Sequence, residues 1–333
     1  MTPDLSILIC THNPPPARLQ RVLDRLAAQQ VEAACELIVI DNKSQPAIES
    51  LDLRWPEQFP VRIVHEAEQG LTHARRRGFR EAGGALVCCV DDDNLLHADY
   101  LANALEFARE HQAVGVFAGR AIGAFEHRPG WFLRYHIARY AIRDLGDEPR
   151  LADGEAWSPA EPFGAGMVLR RSIGLHFSQM IERAAGDGGL GRSGTSLASG
   201  EDSLISRIAA KLGYRVAYAP ALALDHVIEA RRLTFGYALK LVRAQAQSRV
   251  IIDRITDTPE LEAAPPEGRD RYFLFRRFVS RLRSTDIREA ISHIYWDLGY
   301  WEAQRAPMSA AQQVLHDYLS ALQPETSEGS APA

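Results

Sequence analysis

Short apolar runs alternate with amphipathic segments along the first third of the chain. Segments 18–29 and 70–82 repeat apolar residues on one face at helical spacing, as helices that pack on a sheet do. The apolar runs have the length and composition of strands, and they cover 5–10, 36–41, 61–65 and 85–90. This alternation predicts the α/β class, with a mostly parallel central sheet flanked by helices.

The pattern becomes less regular beyond these elements. The further predicted elements are helices over 98–111 and 201–212 and strands over 114–118, 163–169, 214–219 and 221–224. Segment 125–162 has no clear period, and the chain is predicted to be helical from residue 231 on. We therefore expect three regions: an α/β domain over 1–228, a helical C-terminal region over 229–323 and a disordered tail over 324–333.

Three consecutive carboxylates, Asp91, Asp92 and Asp93, follow the apolar run at 85–90. Like charges this close raise one another's pKa values unless a positive charge neutralises them, and a divalent cation with oxygen ligands does so well. Ligands of open α/β sheets lie just beyond the carboxyl ends of strands, where these residues are expected. Because side chains alternate along an extended segment, Asp92 is expected to point away from its two neighbours. The alternative is a solvated acidic turn.

Composition and charge exclude several classes of protein. The 333 residues are 46% hydrophobic with a formal net charge of −5, so nothing indicates binding to nucleic acid. The four cysteines lack metal-ligand spacing, which suits reduced thiols and a cytoplasmic location. The sequence shows no signal peptide, and no apolar run reaches the ~18 residues that a transmembrane helix needs.

Segment 269–283 interleaves aromatic and aliphatic residues with arginines. An amphipathic helix of this composition can lie on an anionic membrane surface, here the inner face of the plasma membrane. The favoured interpretation is a helix that packs its apolar face on the main domain and leaves its arginines in water.

The order of the motifs resembles family 2 of the glycosyltransferases, the inverting enzymes of the GT-A fold. The resemblance runs from Leu5 to about Val227, and no family motif follows Arg231. It is carried by Ser6-Ile7-Leu8-Ile9-Cys10-Thr11-His12-Asn13, Ile38-Val39-Ile40-Asp41-Asn42-Lys43-Ser44, Gly70-Leu71-Thr72-His73-Ala74-Arg75, Asp91-x-Asp93 (the DxD motif), Gly164-Ala165-Gly166-Met167, Gly200-Glu201-Asp202 and His226. Their common order and spacing make the resemblance specific.

The resemblance implies a nucleotide-sugar site at the strand ends. Thr11, Asn13 and Asp41 match positions that hold the nucleotide base, and a carboxylate can accept from the N3–H of uracil or thymine. On the residue alone, the alternative for Asp41 is a turn or helix cap. Gly70 and Arg75 match the motif near the diphosphate, where a guanidinium suits phosphate oxygens.

A metal site is implied by the DxD motif together with His226. Asp91 matches the position near the ribose or the metal, and Asp93 matches the position on the metal, while Asp92 is the weaker donor-binding residue. His226 matches a late histidine that completes the metal site, although a lone histidine is otherwise more often structural. A histidine with carboxylates favours Mn²⁺, with Mg²⁺ as the other option.

The remaining motifs imply the catalytic groups. Asp202 matches the base that takes the proton of the acceptor hydroxyl, with Glu201 as its support or as an acceptor contact. The alternative is that both carboxylates only stabilise a helix N-terminus. Residues Gly164, Ala165 and Gly166 match a segment beside the acceptor and the donor sugar, or form a buried strand with packing glycines.

These implications favour an inverting, metal-dependent transfer of one sugar, with a UDP-sugar as donor and a glycan or lipid-linked acceptor. The Gln-x-x-Arg-Trp motif and the membrane helices of processive members are missing, which favours a single transfer. The family implies a role in surface polysaccharide or glycolipid assembly. The alternatives are a non-catalytic module that binds nucleotide-sugars or glycans, and a sugar nucleotidyltransferase, which would want a glycine-rich basic loop in place of Thr11-His12-Asn13-Pro14.

Overall fold

The computed structural model describes residues 2–192, 194, 196–258, 263–266 and 268–325. Its sheet begins with four parallel neighbours in the order β3-β2-β1-β4. These strands are β1 (Leu5–Thr11), β2 (Cys35–Asp41), β3 (Val61–His65) and β4 (Leu86–Asp91). All four coincide with predicted apolar runs. Strands β1, β2 and β4 are buried along most of their length, as strands covered on both faces are, whereas the edge strand β3 is partly exposed.

Five further strands extend the sheet beyond β4. They are β5 (Asn94–Leu96), β6 (Val114–Phe125), β7 (Arg150–Ala152), β8 (Val168–Arg170) and β9 (Arg215–Ile228). The order continues β4-β8-β6-β9-β5, and β7 pairs with β9. The short strands β5, β7 and β8 pair antiparallel, whereas the long β6–β9 pairing is parallel. The mostly parallel α/β sheet confirms the predicted fold class.

Nine α-helices accompany the sheet in the described part of the chain. They are α1 (Pro16–Ala27), α2 (Leu71–Glu81), α3 (Tyr100–Glu110), α4 (Arg171–Ala184), α5 (Glu201–Lys211), α6 (Phe235–Ile255), α7 (Asp270–Arg281), α8 (Ile287–Arg305) and α9 (Ala310–Ala321). Pro16 occupies the first turn of α1, where a missing N–H costs nothing. None of these helices combines the length and the hydrophobicity needed to cross a bilayer.

Both faces of the sheet are buried. Within β1, Ile7 and Ile9 belong to one hydrophobic cluster, with α1 and α3, whereas Leu8 between them belongs to another, with α2, α4 and α5. The second cluster also includes residues of α6 and α9, such as Ile252 and Leu319. The C-terminal helices therefore share a core with the sheet, and the domain boundary at residue 228 stays a prediction.

Several elements differ from the expectations. The strand predicted over 163–169 begins only at Val168, because Gly164–Gly166 form a turn. The two strands predicted over 214–224 are one strand, β9, whose register against β6 shifts around Pro220, so proline sits at an irregularity of the ladder rather than ending it. Helix α4 and the strands β5 and β7 were not predicted, and β6 extends beyond the predicted end at residue 118 to Phe125.

The predicted disordered tail begins with two residues that are described. The N–H of Glu325 donates to the carbonyl of Leu212, and its carboxylate accepts from Tyr214. Residues 326–333 lie outside the described part of the chain, so the prediction for them stays a prediction.

Candidate active site

The three carboxylates after β4 line one cavity of about 700 Å³. Asp91 ends β4, Asp92 and Asp93 form a turn, and Asn94 begins β5. The side chain of Asn94 fixes this turn, since its Oδ1 accepts from the N–H of Asp91 at 3.1 Å and its Nδ2 donates to Asp93 at 2.9 Å. The segment is a turn and not extended, and the carboxylate of Asp92 accepts from Thr11 and Arg18, whereas those of Asp91 and Asp93 face other partners.

Each of these carboxylates faces an arginine from a different element. The pairs are Arg75–Asp91 at 4.0 Å, Arg18–Asp92 at 2.9 Å and Arg232–Asp93 at 3.3 Å. Guanidinium groups thus supply part of the positive charge that the sequence led us to expect from a cation. Sequence reasoning missed Arg18 and Arg232; the one available signal for Arg18 was its place in the first turn of the helix after β1.

His226 lies beside Asp93. It is buried near the end of β9, and its Nε2 is 3.5 Å from Asp93 Oδ2. Its Nδ1 is buried and has no hydrogen-bond partner among the described residues. Burial raises the pKa of Asp93, but the hydrogen bond and charge of His226 and the charges of Arg232 and Arg18 outweigh it and hold the pKa at about 2.

These two side chains fit a divalent cation. His226 Nε2 and the Asp93 carboxylate oxygen, 3.5 Å apart, can bind one ion together. Asp91 does not lie as close to both Asp93 and His226 as these two lie to each other. Within the described residues, the three ligand atoms of Asp91, Asp93 and His226 do not come within 4.8 Å of one another, whereas those of Asp41, Glu49 and His65 do. Burial raises the pKa of Asp91 to about 6, against the charge of Arg75.

The predicted acidic pair opens α5 and faces the same cavity. Asp202 accepts two hydrogen bonds, to Oδ1 from Arg75 Nη1 at 2.9 Å and to Oδ2 from the N–H of Gly164 at 2.8 Å. Glu201 is more deeply buried; Arg75 lies 3.3 Å from its Oε2, and its Oε1 has no partner among the described atoms. Burial raises the pKa of Glu201 to about 7, although the charge of Arg75 opposes the shift.

Gly164 permits this arrangement by its lack of a side chain. A Cβ at this position would lie 2.3 Å from Arg75 Nη2 and 2.8 Å from Asp202 Oδ1. Ala165 also lines the cavity. Gly166 does not line it; its φ of +70° turns the chain, and its carbonyl accepts from Tyr100 at 2.5 Å. The turn, rather than a strand, brings the backbone against the carboxylate.

The residues predicted to hold the nucleotide base lie next to the cavity rather than in its wall. Thr11 reaches it indirectly, by donating to Asp92 at 2.6 Å. Asn13 has a left-handed backbone, with φ of 48°, and accepts from the N–H of Gln45 at 2.7 Å. Both residues therefore position loops at the strand ends.

Asp41 is a cap in this structure. Its buried carboxylate accepts from the N–H groups of Ser44 at 2.8 Å and Ile48 at 3.1 Å, which stabilises the chain after β2. Gly70 also has a local role: its N–H donates to Asn42 at 2.8 Å, and its φ of 141° turns the chain into α2, which carries Arg75. Neither residue lines the cavity.

Another part of the cavity wall comes from residues that no motif singled out. They belong to the segment without a clear period and to the C-terminal helices, and include Tyr135, Arg139, Trp157, Gln245, Ser248 and Trp296. Arg139 donates to Gln245 at 2.9 Å and stacks 4.8 Å from the ring centroid of Trp296. The aromatic residues in 125–162 were the available signal, but without a period they could not be assigned to a wall.

Comparison with known protein families identifies the family of this chain. The model described as "Glycosyl transferase family 2" matches residues 6–173, half of the chain. It includes the Asp91–Asp93 turn, Arg75 and Gly164 but ends before the acidic pair and His226.

Two curated relatives match shorter stretches. The succinoglycan biosynthesis protein ExoM of Rhizobium meliloti (strain 1021) is 31% identical over 116 residues, 34% of this chain and 37% of that protein. The dolichol-phosphate mannosyltransferase of Mycosarcoma maydis is 40% identical over 63 residues, 18% of this chain and 21% of that protein. The chain thus spans well under half the length of either relative. A solved structure, the mannosyltransferase PcManGT from Pyrobaculum calidifontis in complex with GDP-Man and Mn²⁺, has a TM-score of 0.47 and 20% identity, covering 100% of this chain and 77% of that one.

Proposed function

The chain belongs to glycosyl transferase family 2, and from that premise we propose that it transfers one sugar from a nucleotide-sugar to an acceptor hydroxyl, with inversion. The supporting observation is that Asp91, Asp93, Asp202 and His226 line one cavity at the carboxyl ends of the strands. Carboxylates for a base and donors for a cation thus meet in one pocket large enough for substrates.

Asp202 is the proposed catalytic base. It takes the proton of the acceptor hydroxyl while that oxygen bonds to the anomeric carbon, and the bond to the diphosphate breaks on the opposite face, so the nucleoside diphosphate leaves with the electron pair. The two hydrogen bonds from Arg75 and Gly164 fix the carboxylate in the cavity. We assign Arg75 a positioning role, and Glu201 a supporting one because it is nearly inaccessible.

A divalent cation would be held by Asp93 and His226, with Asp91 near the donor. Such an ion supplies positive charge for the departing diphosphate. The mixed nitrogen and oxygen donors favour Mn²⁺ over Mg²⁺.

We propose the donor and the acceptor from different groups of residues in the cavity wall. A UDP-sugar is the first donor to test, although the capping role of Asp41 removes the strongest argument for uracil, so GDP- and dTDP-sugars belong in the same panel. The acceptor would contact the wall that carries Tyr135, Arg139 and Trp296, since aromatic rings and polar side chains together bind sugars. Surface polysaccharide or glycolipid assembly is the proposed setting.

A turnover assay tests this function. The protein is incubated with Mn²⁺, a panel of UDP-, GDP- and dTDP-sugars and glycan acceptors, and the release of nucleoside diphosphate is measured. We expect turnover with one donor class, lost in Asp202→Asn and retained in Asp52→Asn, an exposed control. Nucleotide binding without turnover of any donor would instead favour the non-catalytic module, and release of pyrophosphate from a nucleoside triphosphate and a sugar phosphate would favour the nucleotidyltransferase.

A further inference from the structure

Helix α7 exposes an unusual amount of apolar surface. It contains no buried residue. Eight large hydrophobic residues are exposed in the described part of the chain, and five of them lie between Tyr272 and Ile287. Soluble proteins scatter such residues singly, so a group of five in one short segment indicates an interaction surface.

The orientation of α7 is fixed by its other face. Phe273 and Leu274 pack on the cluster that includes Tyr300 and Trp301 of α8. Arg277 forms an ion pair with Asp297 at 2.9 Å. The favoured sequence interpretation was that α7 packs its apolar face on the protein. It applies to Phe273 and Leu274, but not to the other apolar residues of the helix.

The remaining apolar residues form a stripe on the outer face. Tyr272, Phe275, Val279 and Leu282 follow one another at intervals of three or four positions, which places them on one side of the helix. They are 58%, 65%, 38% and 42% exposed, respectively. We call these four residues the α7 stripe. Ile287, 56% exposed, lies close behind it in the chain.

Arginines border the α7 stripe. No carboxylate among the described residues forms an ion pair with Arg271, Arg276, Arg281 or Arg283, so these arginines form a local positive patch on a protein whose net charge is negative. Arg276 stacks 5.6 Å from the ring centroid of Tyr272, so positive charge and aromatic surface face the same side. The surface is thus apolar at its centre and cationic at its edges.

We propose that the α7 stripe docks on an anionic lipid surface. Aromatic and aliphatic side chains of such a helix enter the boundary between headgroups and acyl chains, while the aliphatic stems of the arginines let their guanidinium groups reach lipid phosphates. A second copy of the chain is the less favoured occupant, because a two-fold contact would bring the same unpaired arginines from both protomers together. This inference concerns a surface outside the cavity and is independent of the proposed transfer reaction.

Vesicle co-sedimentation tests the proposal without any assay of sugar transfer. The full chain is mixed with vesicles of phosphatidylcholine alone or of phosphatidylcholine with phosphatidylglycerol, at about 0.05 M and about 0.5 M salt. We expect binding only to the vesicles that contain phosphatidylglycerol, and weaker binding at the higher salt concentration. No binding at low salt, or equal binding to both vesicles, would overturn the proposal.

Matched variants identify the surface. Tyr272→Ser with Phe275→Ser removes the centre of the stripe, and Arg276→Glu with Arg283→Glu reverses charge at its edges. Each arginine near an anionic surface contributes about fivefold to binding, so the charge variant is expected to bind at least about 25-fold more weakly. The controls are Ile122→Ser and Arg109→Glu, which alter an exposed apolar residue and an exposed arginine elsewhere.

Two further outcomes would contradict the assignment. Equal loss of vesicle binding in the controls would show that α7 is not the docking surface. A wild-type dimer in solution that becomes a monomer in Tyr272→Ser with Phe275→Ser would show that a second copy covers the stripe. Because all four stripe residues are exposed, the unfolding midpoints of these variants should match that of the wild type.

Discussion

Arg75 of α2 donates a hydrogen bond of 2.9 Å to Asp202 of α5. The two residues are 127 positions apart in sequence, and their contact joins the two helices. The same guanidinium lies 3.3 Å from Glu201 and 4.0 Å from Asp91. The buried guanidinium of Arg75 therefore lies beside three carboxylates, to which the proposed reaction assigns different roles. Arg75 had been predicted to contact the diphosphate; its contacts indicate a positioning role for Asp202 as well.

Removal of Arg75 should destabilise the protein. The variant Arg75→Gln leaves Glu201 and Asp202 without their buried counter-charge, and breaking such a pair typically costs about 3–5 kcal/mol in the free energy of unfolding. Urea denaturation measures this change. The control is Arg77→Gln on the same helix, whose exposed pair with Glu81 should contribute no more than about 0.5 kcal/mol. Equal stability of the two variants would refute the role of Arg75.

The variant Gly164→Ala should lose activity with a smaller loss of stability. The added methyl group would lie 2.3 Å from Arg75 and 2.8 Å from Asp202, so the carboxylate must move out of position. A displacement of about 1 Å in a catalytic group can cost about 100-fold in rate. Rate and unfolding measurements on the variant test this, with Gly236→Ala, which adds a methyl group in open space on α6, as the control. Unchanged turnover in Gly164→Ala would contradict the proposed role of Asp202.

The two members of the acidic pair should differ in their contribution to turnover. Asp202→Asn removes the proposed base and should lower kcat by about 10²–10⁴-fold, while leaving nucleotide binding intact. Glu201→Gln keeps the shape of a side chain that is nearly inaccessible and should cost no more than about tenfold. Steady-state kinetics of both variants decide the assignment. A larger loss in Glu201→Gln would make Glu201 the base.

Buried His136 should make the protein less stable in mild acid. Burial, with the nearby charges of Arg139 and His293, lowers its pKa from 6.5 to about 4. Between these values the unfolded chain binds a proton that the folded protein does not, so stability falls as pH falls from about 7 to 5, by about 2 kcal/mol from this residue. Urea denaturation at both pH values should show a smaller loss in His136→Gln, whose side chain does not titrate. The same loss in both proteins would exclude His136 as the cause.

Much of the fold follows from local sequence signals. The runs that became β1, β2 and β4 are mainly apolar and are followed by polar residues, so their composition and length define them, whereas β3 contains Arg62. The short strands β5, β7 and β8 have three residues each and form only because a long neighbour is present. Tertiary pairing, which sequence periodicity does not encode, decided these three strands. Helix α4 was missed although its buried residues Ile173, Phe177, Met180 and Ile181 recur at helical spacing; it begins without a side-chain cap, so no start signal marks it.

The position of a site residue was predictable where its type and its place at a strand end coincide, as for Asp91, Asp93 and His226, which line one cavity. Pairs were not predictable where the partners come from distant elements. The pairing of Arg18 with Asp92 spans 74 positions, and that of Arg232 with Asp93 spans 139. For Asp41, a motif suggested a ligand contact that the structure does not show. The N–H groups of Ser44 and Ile48 donate to its two carboxylate oxygens instead.

The measurement that tests the account most directly is calorimetric titration of UDP, GDP and dTDP into the protein, with and without Mn²⁺. We expect one nucleotide to bind in a Mn²⁺-dependent manner, and Asp93→Ala and His226→Ala to weaken that binding by about tenfold or more, whereas the exposed control Asp52→Ala does not. If none of the three nucleotides binds, or if binding is equal without Mn²⁺ and in both variants, then the cavity beside Asp93 and His226 is not a metal-dependent nucleotide-sugar site.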